Sequence, residues 1–263
     1  MGQLFKILSV FLLLWGGLAV QSANAQSANA QSDRNPPVPE RYPPVEDPWD
    51  GTSYRALAER VETEGLPLPT LADAATKPVF ERMVNADNIP LRMGLNRDLS
   101  VTIRFQRLDS ALPAIHKLVV LYSNETQKGK PFAQELARLM VYESKVSAAL
   151  LDLSEPYLST LKEDKRYQVH VAYLDQVKSG ARQLYSGLVQ GMTETSLHSK
   201  SDILKMIKVA RDGLPSYHPI LTDQDRQGHV QKLTQQISIT TDQQLKTALT
   251  ELRDMLKHRQ VPT

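Results

Sequence analysis

The chain contains no cysteine. That absence excludes disulfide scaffolds, thiolate zinc sites, iron–sulfur clusters, cysteine nucleophiles and c-type haem attachment. A marked excess of one charge is missing too: 31 Lys plus Arg stand against 29 Asp plus Glu over 263 residues, a formal charge of +2. Nucleic-acid binding needs a concentrated basic face, so no nucleic-acid partner is expected. The motifs H-E-x-x-H, G-x-S-x-G, G-x-G-x-x-G and the Walker loop do not occur, and each of those stands for a defined chemistry. No catalytic residue and no cofactor is therefore assigned, and the reading leans away from an enzyme. With 41% hydrophobic residues the composition is that of a globular protein.

The first thirty residues read as an address. Lys6 supplies a short positive region, Ile7 to Val20 form an apolar run of 14 residues, and Ala23-Asn24-Ala25 and Ala28-Asn29-Ala30 offer two small-x-small sites. Charge, apolar run and A-x-A site in that order make a secretory signal peptide over 1–30, cleaved after Ala25 or Ala30. The run is shorter than the roughly 20 residues a spanning helix needs. Met1-Gly2 does not make a myristoylation signal, because Lys6 stands where Ser or Thr is required. No later segment is apolar enough to span a bilayer. The expected mature chain is soluble, with no transmembrane segment, in a periplasm or outside the cell.

Residues 31–50 hold six of the 16 prolines. Each removes an amide donor and turns its predecessor away from helix, so the stretch reads as a Pro-rich linker. Tyr42 and Trp49 lie within it. Either they form a strip that docks into a partner's aromatic groove, or they pack back onto the domain that follows.

Residues 51–263 read as one all-α domain. Apolar positions recurring every three or four residues predict helices over about 53–64, 98–124, 131–155 and 165–192. Gly65 stops the first, Pro113 kinks the second, and Pro156 bends or restarts the third. The shorter helices beyond are expected to open at Ser199 or Ser201, at a Thr222/Asp225 capping box and at Thr240 or Thr241, the first ending at Gly213. Leu245, Leu249, Leu252 and Leu256 make an inward stripe on the last. Three long amphipathic helices in succession, followed by shorter ones, predict an antiparallel helical bundle. Gly187 and Gly191, four apart, read as helix packing. The charge is split: 33–98 carry 12 acidic and 8 basic residues, whereas 99–263 carry 17 and 22. That pattern predicts an acidic N-terminal segment lying across a mildly basic bundle.

Two candidate sites follow. At 100° per residue Glu143 falls within the apolar arc of Leu136, Leu139, Val146 and Leu150, and His170 falls between Leu174 and Val177. A carboxylate and an imidazole on the apolar faces of consecutive helices each need a partner or a shifted pKa. They are candidates for an interior acid–imidazole site for a metal or small molecule. Register argues against direct contact, since a turn near 160 sets Glu143 opposite a residue near 176, about 9 Å from His170. The second candidate is the run Asp223 to Val230. Its two acids and Gly228 resemble an EF-hand loop, but Gln227 and Thr234 stand where ligands are required. With His218 and His229 added, Asp223 and Asp225 form a weak candidate metal set.

The function these features favour is an exported, non-catalytic helical-bundle protein binding another protein or an envelope component. The alternative is a bundle binding a small molecule or metal through Glu143 and His170. Oligomeric state is not encoded in any feature of the sequence.

Overall fold

The computed structural model describes residues 42–92, 99–129 and 131–258. The leader at 1–30, both cleavage sites and linker residues 31–41 lie outside the described residues. Among the described residues there is no strand and there are nine helices: α1 (Gly51–Thr63), α2 (Lys77–Met83), α3 (Asn88–Leu91), α4 (Val101–Gln127), α5 (Ala133–Ser159), α6 (Tyr167–Thr193), α7 (Lys200–Tyr217), α8 (Asp223–Ile239) and α9 (Gln243–Lys257). The fold is all-α, and α4, α5 and α6 are the three long helices, each of 27 residues. No described helix is long and apolar enough to cross a membrane.

Local chemistry sets the helix ends. The Asp50 carboxylate accepts from the Thr52 and Ser53 amides and starts α1 two residues before the expected Ser53. Gly65 takes φ +66°, a left-handed conformation glycine adopts without strain, and the chain leaves the helix there. Ser199 caps α7, and Thr222 with Asp225 forms the reciprocal capping box of α8. The last cap differs from expectation. Asp242 accepts from the Leu245 amide at 3.0 Å, while the Thr240 hydroxyl donates back to the Gln236 carbonyl at 2.7 Å and closes α8 instead.

The internal prolines are also tolerated. α4 runs through Pro113, α5 through Pro156 and α7 through Pro215 without restarting. Pro156 and Pro215 stand in the last turn of their helices, so little helix follows each missing amide. Gly213 does not end α7. A Cβ there would lie 3.3 Å from the ring of Tyr217 on the same helix and at ordinary contact, 3.7 Å, from Ala148, so the glycine makes room for the Tyr217 ring. Of the expected glycine pair only Gly191 serves packing between helices, since a Cβ would meet Met140 Cε at 3.1 Å; Gly187 has nothing within 4 Å.

Helix α5 is the centre of the bundle, packed against α4, α6 and α7. α1 lies on α4, α8 lies on α6, and α9 closes against α7 and α8. The apolar core has two lobes that meet along α5 and α6. One joins α1, α2 and α4 to the Leu139, Val146 and Leu150 side of α5. The other joins α6 to α9 and includes all four leucines of the α9 stripe. The acidic N-terminal segment is held on α4 chiefly by apolar burial of Tyr54 and Leu57, with one ion pair across the join, Lys117 Nζ to Glu62 Oε2 at 2.5 Å.

Tyr42 and Trp49 are not presented to a partner. Trp49 is 1% exposed and stands edge-on to Tyr54 with ring centroids 5.5 Å apart. Its indole N–H donates to the Pro44 carbonyl at 2.8 Å, and its amide donates to Asn88 Oδ1 at 3.0 Å. The buried Tyr42 donates its hydroxyl to the Pro67 carbonyl at 2.9 Å. The end of the linker is thus part of the core, because burying an indole and satisfying its one donor outweighs leaving it in water. In the chain lacking 1–30, Trp49 is the sole tryptophan. Its emission is expected to be blue and shielded from iodide, and Trp49→Ala to cost about 3–5 kcal/mol in denaturant unfolding. A red, fully quenchable emission contradicts this packing.

Candidate functional site

The two sequence-predicted interior residues go to different partners. Glu143 is buried in α5, and its Oε1 lies 2.8 Å from Nδ1 of His116 on α4. His170, at the start of α6, has its Nε2 3.7 Å from Asp164 Oδ2 and its ring perpendicular to Tyr157. The Arg166 amide and guanidinium hold Asp164 below the usual carboxylate range. Glu143 therefore serves the α4/α5 interface, and His170 serves the end of the bundle at the α5–α6 turn. The register that separates them also picks out His116. A turn centred near 130 sets Glu143 opposite a residue near 117, and the same arithmetic applied one helix earlier would have found the pair.

The proposed metal set does not assemble. Asp223 pairs with Arg226, Asp225 completes the α8 capping box, and His218 Nε2 lies 3.2 Å from the His258 carbonyl. His229 is buried against the Tyr185 ring, with Nε2 3.5 Å from Ser186 Oγ. Burial holds its imidazole down at about 4, so it is neutral near pH 7. Among the described residues no group of three or more His, Asp or Glu side chains is arranged to hold a metal ion.

Further polar contacts lock the interior. Tyr54 donates to the Met83 carbonyl at 2.8 Å, lies 2.7 Å from the Tyr142 hydroxyl, and accepts from Asn88 Nδ2 at 3.0 Å. Burial pushes the Tyr142 hydroxyl up to about 12. Glu135 accepts from the Thr70 hydroxyl and the Leu71 amide, both at 2.7 Å. The Tyr173 hydroxyl donates to Asp109 across α6 and α4. Burial pushes that carboxyl up to about 6, partly offset by the same bond. Each contact ties one element to another, and Tyr142 also lines a surface cleft beside Lys145, Asp202 and Lys205.

The open feature lies on the outer side of α5. Every other stripe of that helix is covered, but Arg138, Val141, Lys145, Ala148, Ala149 and Asp152 recur at helical spacing and reach solvent. With Lys205, Lys208, Val209 and Asp212 of α7, the stretch of that stripe from Val141 to Asp152 lines a groove of about 490 Å³. A cleft of about 230 Å³ continues it towards Val84, between Arg138, Lys145 and Lys205. Its floor is apolar and small-residued, and its rims are charged. This groove was not picked out from the sequence, because lysines on an amphipathic helix ordinarily mark a solvated face. The signal that was present is Ala148-Ala149 on that same face.

Comparison with known proteins gives no family: no family model, no curated protein and no solved structure matches this chain.

Two outcomes follow from the interior. Glu143→Ala is expected to lose about 3 kcal/mol in urea unfolding by removing the buried bond to His116, whereas His116→Leu/Glu143→Leu regains most of it. Equal losses in the single and the double variant contradict a structural pair. The second outcome concerns pH. His229 is depressed from 6.5 to about 4, so its contribution is present above pH 6.5 and lost as pH falls towards 4. Asp109 is raised from 3.8 to about 6, so its contribution is present at low pH and lost as pH rises through 6. His229→Gln should flatten the acid limb of a stability–pH curve, and Asp109→Asn should remove the loss between pH 4 and 6. Unchanged curves would show that neither group is desolvated.

Proposed function

We propose that this is an exported, non-catalytic binding protein that holds another protein or an envelope component on the open α5/α7 face. The observation that carries this reading is the contrast between interior and groove. The buried acids and imidazoles of the candidate sites are bonded or packed across helix interfaces, where they fasten the bundle. The groove, by contrast, is open, floored by small apolar residues and rimmed with charge, a combination suited to a macromolecular partner. Export is supported by the charge, apolar run and A-x-A order of 1–30.

The test places a photo-reactive benzoylphenylalanine at Ala149 in the groove, or at exposed Gln235 on α8, in the full chain expressed in the cells that make it. Adduct yield at Ala149 is expected to exceed that at Gln235 several-fold. Equal yields, or a small molecule retained on the purified protein in native mass spectrometry and lost in Glu143→Gln, would overturn the reading.

A further inference from the structure

Resting on that reading, we infer that the occupant of the α5/α7 groove is an amphipathic helix of a partner protein, with carboxylates at the end that meets Arg138, Lys145 and Lys205. Shape gives the first argument. The exposed stripe from Arg138 to Asp152 follows a helix over 15 residues, about 21 Å at the helical rise. Val141, Ala148, Ala149 and Val209 form its floor. Small floor side chains let a second helix axis come close, and a straight apolar valley between two helices takes a helix better than it takes a loop.

Charge supplies the second argument and gives the helix a direction. Among the described residues neither Arg138 nor Lys145 has an ion-pair partner. Lys205 pairs with Asp202 at 3.3 Å and Lys208 pairs with Asp212, both within α7 and both at exposed ammonium groups. A pair exposed at both ends, as Lys208–Asp212 is, is weak, so an incoming carboxylate can share or replace it. Asp202 is buried, engaged by the Ser199 hydroxyl at 2.7 Å, and lines the same cleft, so it offsets part of the Lys205 charge and leaves Arg138 and Lys145 as the uncompensated cations. The cations therefore dominate the Arg138 end, while Asp152 and Asp212 lie towards the other. A docked helix should be acidic at the first end and neutral or basic at the second, an arrangement that also fixes its orientation.

The experiment identifies what the Ala149 cross-linker touches. Adducts are digested and the joined segment is sequenced by mass spectrometry, in the otherwise native chain and in Arg138→Glu/Lys145→Glu. Circular dichroism melts confirm that the variant, altered only at exposed or half-exposed positions, is folded. The inference expects a joined segment with apolar residues at helical spacing and Asp or Glu clustered at one end. Its yield should fall at least about fivefold in the double variant and also fall when salt rises from about 0.05 to about 0.5 M, because exposed charges are then screened. A joined segment that is basic or lacks helical periodicity would overturn the inference but leave the binding reading in place. So would a second copy of this chain, a lipid or a glycan, or a yield indifferent to the double variant. No adduct above that at Gln235 would overturn both.

Discussion

Enclosing α5 on three sides constrains everything else in the molecule. Once α4, α6 and α7 close around it, any polar side chain on those three faces must find a partner inside the protein or carry a desolvation cost of several kcal/mol. α5 brings several such groups into the interior, among them Glu135, Tyr142 and Glu143, together with the main-chain carbonyl of Ser144. Each is matched to a different neighbour. Glu135 takes the Thr70–Leu71 segment, Tyr142 takes Tyr54 of α1, Glu143 takes His116 of α4, and the Ser144 carbonyl accepts from Tyr217 of α7 at 3.2 Å. An apolar surface alone would allow these elements to slide along α5. Five bonds from four residues, one at 135 and three at 142–144, to four neighbours, favour one register.

That view changes what an interior acid means here. A buried carboxylate beside an imidazole is the arrangement expected of general acid–base catalysis, and also the arrangement expected of a helix interface that needs pinning. The two differ in what surrounds the pair. Catalysis requires a reacting atom within reach of the pair and an approach for substrate. Glu143 and His116 are almost entirely shielded, with side-chain exposures of 6% and 14%, and they join two of the three longest helices. Asp109 and Tyr173 repeat the same logic between α4 and α6.

How much of this was readable from the residues depends on the range of the interaction. Helices, their caps and the α9 leucine stripe are local, set within four or five positions, and the Thr222/Asp225 box and Gly65 stop fall where their chemistry puts them. Gly213 shows where local reading fails. Its punctuation value as a helix stop was overridden because α7 continues to Tyr217, whose ring packs over the glycine and whose hydroxyl reaches the Ser144 carbonyl of α5. The Glu143–His116 bond was half legible: the wheel put Glu143 inside, but choosing between His116 and His170 required the register of both turns. Trp49 was readable only as two alternatives, since its packing depends on Tyr54 and Asn88, supplied by elements that begin after it.

The outer stripe of α5 completes the argument about the central helix. In a soluble bundle the solvent face of a helix gains most from long charged side chains, which cover apolar surface with their stems. On α5 that face instead alternates Arg138 and Lys145 with Val141, Ala148 and Ala149. Stability of the bundle alone gives no reason for this alternation, because the helix is already buried on its other faces and alanine contributes little cover. Small floor residues between flanking cations do suit close approach by another backbone. The most enclosed helix of the protein is thus also the one whose remaining face is shaped as though for a fourth neighbour, and the polar bonds that fix its register hold that face rigid for it.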